Sequence, residues 1–289
     1  MKNTKINLFL FATFLSLFPT AVFAQKLDTP NVNSYLYLGE SKNQPLVVGL
    51  GGSEGGNAWS SNYWKKTRDE FLAKGYAFLA LGYFGAEGTP KELDRISIEQ
   101  VHEAILKAAE HPKVNKNKIA IVGGSRGADL ALLIASYYKD IDAVVGIVPS
   151  HAVFPAHTKE LSTSSWTFGG KELPFVPVSD ETIPALIKRD LRSAFEIMLK
   201  DKESEQKSLI KVEKINGPIL LLSATNDEIA PTTPMANNII EKLQANNFKY
   251  CYTHYAITGK HAEPLKHFDK VFTFLEQYFY HKKKKSCRR

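Results

Sequence analysis

Short runs of apolar residues alternate with longer segments of helical periodicity along most of this chain. The runs PLVVGLGG (45–52), YAFLALGY (76–83) and KIAIVGG (118–124) are continuously apolar, as strands buried on both faces of a parallel sheet are. Between them, NYWKKTRDEFLAKG (62–75) and residues 98–110 carry apolar side chains at helical spacing. The pattern predicts strands and helices that follow one another in turn.

The alternation continues to the C-terminal end. Three further apolar runs predict strands, and two stretches of helical periodicity follow the second and third of them: IDAVVGIVP, PILLLSAT and YCYTHYAI, then TPMANNIIEKLQANN and PLKHFDKVFTFLEQYFY. Near the start, NVNSYLYL alternates apolar and polar residues and predicts an edge or hairpin strand. Because strands alternate with helices, we expect an α/β fold with a mostly parallel central sheet covered by helices on both faces.

One interval breaks this order. Between Pro149 and Gly217 lie about 65 residues, far more than a usual connection between a strand and a helix. They contain SSWTFGGKELPFVPVSDE, followed by two segments with helical periodicity. We interpret residues 151–216 as a lid inserted above the C-terminal ends of the strands, within a single domain spanning 25–280.

The first 24 residues have the pattern of a secretory signal. Two lysines precede an apolar run from Ile6 to Phe18, and a small-residue ending closes at Ala24. This run is shorter than the ~18 residues a spanning helix needs, which disfavours the alternative of an uncleaved anchor. We therefore expect a signal peptide over 1–24 and export to the periplasm or the medium, with no stable membrane insertion after cleavage.

The net charge of +7 does not indicate an anionic partner, because the positive excess lies at the two ends of the chain. Lys2 and Lys5 leave with the signal, and the tail 281–289 carries six positive charges, so the remaining body is near −1. We interpret the tail as a basic, disordered end and expect no nucleic-acid partner. Cys251 and Cys287 are the only cysteines. The sequence leaves open whether they pair.

The candidate chemistry starts at Ser125. Gly123-Gly124-Ser125-Arg126-Gly127 satisfies G-x-S-x-G between a predicted strand and a predicted helix. In that context the serine sits on a sharp turn with its hydroxyl exposed above the sheet, at the positive end of the helix. The alternative is a glycine-rich turn whose serine only caps the helix.

A serine nucleophile needs a histidine to take its proton and an acid to orient that histidine. Asp227 follows an apolar strand in LLLSATNDEIAP, and Glu228 beside it is the second choice for the acid. His261 follows the last predicted strand in AITGKHAEP and precedes the closing helix. We predict Ser125, Asp227 and His261 as the catalytic residues.

The glycine-rich loop GLGGSEGG provides the candidate oxyanion hole. We expect one donor to be the N–H of Arg126, directly after the nucleophile, and the other to be the N–H of Ser53. A phosphate-binding role for GGSEGG is the alternative, but the loop lacks the lysine and hydroxyl residue of a P-loop. Gly52, Trp166 and His151 are candidates for substrate contact, and Phe154, Phe168 and Phe175 are further aromatic candidates for an acyl pocket.

Several segments together resemble a known family. GLGGSEGG, KGYAFLALGYFGAEGTPKELDRISIE, HPKVNKNKIAIVGGSRGADLALLIAS and SSWTFGGKELPFVP are similar to the C-terminal α/β-hydrolase domain of the bile acid-CoA:amino acid N-acyltransferase and acyl-CoA thioesterase family, with dienelactone-hydrolase-like relatives. The resemblance implies an α/β-hydrolase fold, a small acyl ester or thioester substrate and no cofactor. It also implies that Ser125, Asp227 and His261 hold the nucleophile, acid and histidine positions.

Three classes of function are compatible with the sequence. A serine hydrolase for esters or thioesters is the favoured one, because amidating members of the family resemble one another in carrying cysteine where this chain has serine. An acyltransferase or peptidase with the same residues is the second class, and a non-catalytic binding module of the same fold is the third. No spacing typical of metal ligands occurs in the sequence.

Overall fold

Eleven strands form two sheets in the computed structural model, which describes residues 24–281. The predicted signal peptide, apart from Ala24, and the tail from residue 282 onwards lie outside the described residues. The strands are β1 Ala24–Leu27, β2 Asn33–Tyr37, β3 Gln44–Leu50, β4 Ala77–Gly82, β5 Ile96–Ser97, β6 Val114–Gly124, β7 Ala143–Ile147, β8 Trp166–Phe168, β9 Lys171–Glu172, β10 Ile219–Ala224 and β11 Tyr252–Ile257.

The large sheet has the order β1-β2-β4-β3-β6-β7-β10-β11. From β4 to β11 neighbouring strands are parallel, whereas β1 and β2 add an antiparallel hairpin at one edge. The mostly parallel sheet was predicted, and β2 is a hairpin strand as expected, but the strand at the edge is β1, which was not predicted. Every residue of β3, β4, β7 and β10 is buried, which explains why these strands read as continuous apolar runs.

Helices cover both faces of the sheet. The α-helices are α1 Lys65–Ala73, α2 Ile98–Ala109, α3 Arg126–Tyr137, α4 Ile183–Ile187, α5 Leu191–Met198, α6 Lys202–Ser208, α7 Thr232–Ala245 and α8 Phe268–Phe274. Alternate residues of β3 enter different cores: Val48 packs in the core that includes α2, α3 and α7, and Val47 in the core that includes α1 and α8. This division follows from the two-residue period of a strand.

The interval between β7 and β10 differs from the sequence-based expectation in its details. A hairpin of β8 and β9 pairs with β5 to form a small three-stranded sheet that the sequence did not predict. Three short helices, α4 to α6, stand where two helical segments were expected. Three-residue connections, 188–190 and 199–201, separate these helices, and each ends on an aspartate, Asp190 or Asp201, whose carboxylate caps α5 or α6.

Two findings bear on partners. No helix between residues 24 and 281 has the length and apolarity needed to cross a membrane. Within the same residues, no group of three histidine, cysteine or acidic side chains could hold a metal ion.

The sequence left open whether the cysteines pair. Cys251, just before β11, is disulfide-bonded.

Candidate active site

Ser125 occupies a sharp turn between β6 and α3. Its backbone has φ 51° and ψ −123°, a conformation that few residues other than glycine adopt. The Ser125 N–H donates to the carbonyl of Ile147 on β7 at 2.8 Å, which fixes this turn against the neighbouring strand. Strain of this kind persists only where surrounding contacts enforce it, and it lifts the serine hydroxyl above the sheet.

The glycines on either side of Ser125 permit close backbone approaches. A Cβ at Gly123 would lie 2.0 Å from the carbonyl oxygen of Gly127, and a Cβ at Gly127 would lie 2.3 Å from that of Gly51. Both are far below contact distance, so any side chain at either position would push the turn away from its neighbour. The G-x-S-x-G spacing therefore follows from the packing of β6, α3 and the loop after β3.

The structure brings Ser125, His261 and Asp227 into one chain of contacts. His261 Nε2 lies 3.2 Å from Ser125 Oγ, and its Nδ1 lies 2.9 Å from both carboxylate oxygens of Asp227. The three residues follow β6, β11 and β10, whose carboxyl ends meet at the same edge of the sheet. The sequence-based choice of these three positions rested on that topology.

Asp227 is almost wholly buried and makes several hydrogen bonds. Its carboxylate accepts from the N–H groups of Ile229 and Ala230 and from the hydroxyl of Thr232, besides the contact with His261. Burial alone would raise the pKa of Asp227, but the hydrogen bonds from His261 and Thr232 outweigh it and lower the pKa below its ordinary value. The carboxylate is thus held ionised and in a fixed orientation beside the imidazole.

Glu228, the second choice for the acid, does not contact the imidazole ring of His261. Its carboxylate accepts instead from the backbone N–H of His261 at 3.0 Å. This contact fixes the loop that carries the histidine. The geometry therefore favours Asp227 as the acid and gives Glu228 a supporting position.

The candidate oxyanion loop lies directly against Ser125. Gly52 of this loop approaches closely, because a Cβ there would be 3.0 Å from the Cβ of Ser125. The buried hydroxyl of Tyr83 donates to the carbonyl of Gly51 at 2.7 Å and so holds the loop in place. On the other side, the N–H of Arg126 belongs to the first turn of α3, where N–H groups have no acceptor within the helix. Ser53 lies in the same cavity wall as Gly52.

A buried ion pair beneath the serine connects α3 to the inserted segment. Arg126 contacts Asp129 at 3.3 Å and donates to the carbonyl of Pro155 at 2.5 Å and to the hydroxyl of Ser165 at 2.8 Å. Asp129 accepts from the N–H of Ser150 at 2.8 Å. Burial raises the pKa of Asp129 to about 6, although Arg126 and the Ser150 N–H partly oppose that rise.

Sequence reasoning did not single out Asp129 or the side chain of Arg126. A signal was present, since Asp129 is the one acidic residue in the otherwise apolar helix segment ADLALLIAS. A carboxylate on a buried helix face needs a partner, and the neighbouring arginine supplies it.

Ser125 and His261 open into a cavity of about 730 Å³. Its walls come from the loop after β3, from α7 and, to a large extent, from the inserted segment. The apolar side chains that enclose it include Phe154, Val178, Leu191, Phe195, Met198 and Met235. A cavity of this size and lining suits an apolar group on a small substrate. The inserted segment, interpreted from the sequence as a lid, thus forms a wall of the cavity into which Ser125 opens.

Most of the aromatic candidates for substrate contact do not reach the cavity. Trp166 is fully buried, packs against Tyr83 with ring centroids 5.8 Å apart, and is not part of the cavity wall. It lies on β8, which pairs with β5, so its bulk fastens the inserted segment to the body. Phe168 and Phe175 also pack against the core, whereas Phe154 does line the cavity.

His151 also lies outside the cavity wall. It is buried, and its Nε2 is 2.7 Å from the carboxylate of Glu205 on α6. The ring borders a separate cavity of about 470 Å³ between α6 and α7. Its role as a substrate contact is therefore corrected to a structural contact within the inserted segment.

A family model and two curated proteins are similar to this chain. The model, described as BAAT / Acyl-CoA thioester hydrolase C terminal, matches residues 96–265. Acyl-coenzyme A thioesterase 6 of Mus musculus is 31% identical over 241 residues, covering 81% of this chain and 52% of that protein. Acyl-coenzyme A amino acid N-acyltransferase 1 of Mus musculus is 25% identical, covering 76% and 49%. The chain spans about half the length of these relatives.

Solved structures support the fold. An α/β hydrolase from Penicillium sp. sh18 superposes with a TM-score of 0.59 at 14% identity, covering 90% of this chain and 99% of that one. At this identity the likeness establishes architecture alone, and it agrees with the mostly parallel sheet and the strand–turn–helix around Ser125.

Proposed function

The chain belongs to the BAAT / acyl-CoA thioester hydrolase C-terminal family, and on that premise we propose that it is a serine hydrolase cleaving an ester or acyl thioester through an acyl-enzyme on Ser125. The observation that carries this proposal is the chain of contacts from Ser125 to His261 to Asp227 at the base of the apolar cavity. A binding module of the same fold would have no need for this arrangement or for the strained serine.

The first half of the reaction forms the acyl-enzyme. Ser125 Oγ attacks the carbonyl carbon while its proton passes to His261 Nε2, and Asp227 stabilises the imidazolium that results. The N–H of Arg126 and the loop after β3 supply donors for the oxyanion. When the tetrahedral intermediate collapses, the bond to the leaving alcohol or thiol breaks, and His261 returns the proton to that group.

Water completes the cycle. His261 removes a proton from a water molecule, the hydroxide attacks the acyl carbonyl, and the second intermediate releases a carboxylic acid and regenerates Ser125. The apolar wall formed by Phe154, Phe195 and Met198 favours an aliphatic acyl group at the cavity end.

Export is a further part of the proposal. The signal-like N-terminal residues support it, and they favour an ester or thioester that occurs outside the cytoplasm. Expression of the full chain followed by mass determination of the mature protein tests this directly. Cleavage after Ala24 is the expected result, and an intact N-terminus in the cytoplasmic fraction would contradict it.

The activity is tested on the mature chain with 4-nitrophenyl esters and acyl-CoAs of graded length. We expect turnover that Ser125→Ala lowers by at least about 10³-fold while the melting temperature stays within a few degrees. A fluorophosphonate probe should label Ser125 in the wild type. Assays with an added amine acceptor separate hydrolysis from acyl transfer, and amide as the main product would refute hydrolysis as the function.

A further inference from the structure

Glu54 lies on the candidate oxyanion loop with its side chain in the cavity wall. Its Oε1 accepts a hydrogen bond from the backbone N–H of Gly52 at 3.0 Å. Among residues 24–281, no lysine, arginine or histidine forms an ion pair with this carboxylate. An uncompensated negative charge therefore borders a largely apolar cavity.

This charge is close to the nucleophile. The position that a Cβ of Gly52 would occupy is 3.0 Å from Ser125 Cβ and 2.9 Å from Glu54 Oε2, so the serine and the carboxylate flank the same glycine. The loop cannot easily withdraw, because Tyr83 holds the carbonyl of Gly51. Gly52 thus approaches Ser125 closely while its N–H already donates to a carboxylate, so this N–H is available to an oxyanion at Ser125 only if Glu54 releases it.

We propose that Glu54 determines substrate specificity by occupying the Gly52 N–H in the free protein. A neutral acyl carbonyl displaces the carboxylate, which turns to the open side of the cavity, where Glu54 is already solvent-exposed. An acyl group with its own carboxylate is repelled by Glu54, because like charges in a partly apolar site repel strongly. The site thus selects uncharged acyl groups over anionic ones. This inference rests on the proposed serine hydrolase function.

The size of the selection follows from electrostatics. An acyl carboxylate within about 6 Å of Glu54 at intermediate screening lowers the specificity constant by roughly 10- to 100-fold. Because Glu54 is exposed, salt should weaken the effect, and 1 M NaCl should reduce it several-fold. A steric selection would not respond to salt.

The test compares 4-nitrophenyl pentanoate with the 4-nitrophenyl monoester of glutarate, after subtraction of spontaneous hydrolysis. The wild type should prefer the pentanoate by about tenfold or more in kcat/KM. Glu54→Gln, which keeps the shape and removes the charge, should lower that preference by about tenfold, and it should speed the neutral ester a few-fold because an amide is easier to displace. Glu54→Ala serves as a second variant and should also lose the preference.

Glu196→Gln is the matched control, since Glu196 lies on α5 and is paired with Arg192 outside the cavity wall. It should keep the wild-type preference. The inference is overturned if turnover depends on Ser125 but both Glu54 variants keep the wild-type ratio of the two esters. If instead no ester is turned over, or Ser125→Ala retains full activity, the proposed function itself fails and this inference fails with it.

Discussion

Gly127→Ala tests whether the close approach of backbone segments at the Ser125 turn is needed for the proposed activity. The added methyl group would lie 2.3 Å from the carbonyl oxygen of Gly51 and 2.6 Å from that of Leu50. Relief to a minimal 3.0 Å contact requires the loop and the turn to separate by at least about 0.7 Å. Both segments carry the candidate oxyanion donors.

The consequence is large for catalysis and moderate for stability. A misplacement near 1 Å can lower a rate by roughly 10²-fold, so we expect kcat on a 4-nitrophenyl ester to fall by about that factor. Overpacking costs about 1–3 kcal/mol of unfolding free energy. In a chain of this size that corresponds to a fall in melting temperature of roughly 3–10 °C.

Gly124→Ala is the control from the same motif. No atom lies within 4 Å of a Cβ at Gly124, and its φ is not positive, so the melting temperature should not change. Steady-state kinetics and differential scanning calorimetry on both variants provide the measurements. For Gly127, which lies in α3, the substitution to alanine would stabilise the helix by about 0.5–1 kcal/mol if no clash opposed it. A Gly127→Ala protein that melts higher than the wild type with unchanged kcat would refute the close-approach argument.

Three further outcomes follow from the site. Asp227→Asn should lower kcat by about 10⁴-fold. Glu228→Gln affects only the loop that carries His261 and should lower kcat by less than about tenfold. Equal effects of the two variants in steady-state kinetics would contradict the choice of Asp227 as the acid. Met198→Trp should fill part of the cavity and move the preferred 4-nitrophenyl ester to a shorter acyl chain, and an unchanged chain-length profile would argue against this wall as the acyl site. The raised pKa of Asp129, about 6 against 3.8, means that the folded chain keeps a proton that the unfolded chain has lost between pH 4 and 6. Its contribution to the unfolding free energy should therefore fall by up to about 3 kcal/mol as pH rises through that window, which urea titrations of the wild type and Asp129→Asn at pH 4 and 6.5 would detect as a changing difference.

The sequence predicted the large sheet and its helices because burial on both faces leaves a direct mark on residue choice. β3, β4 and β10 are buried throughout and carry almost only apolar residues, while α2 shows a single apolar stripe. The small sheet of β5, β8 and β9 was not predicted, since strands of two or three residues are too short to show a period.

The residues of the candidate site also fall into those that the sequence could predict and those that it could not. Ser125, Asp227 and His261 could be chosen from their positions after particular strands, because parallel strands bring those positions to one edge. The placement of Trp166 and His151 could not be predicted in this way, because the sequence around an aromatic side chain in the core does not differ from the sequence around one that lines a pocket. Only contacts between distant segments distinguish them.

By itself, then, the sequence determined the order of strands and helices, the glycine-flanked serine turn and the family, because local backbone demands and burial act on neighbouring residues. The tertiary structure alone decided which side chains face the cavity, the contacts of Arg126 with Pro155 and Ser165, and the pairing of His151 with Glu205. These depend on the distance and orientation of side chains across the fold, and neither quantity is carried by spacing along the chain.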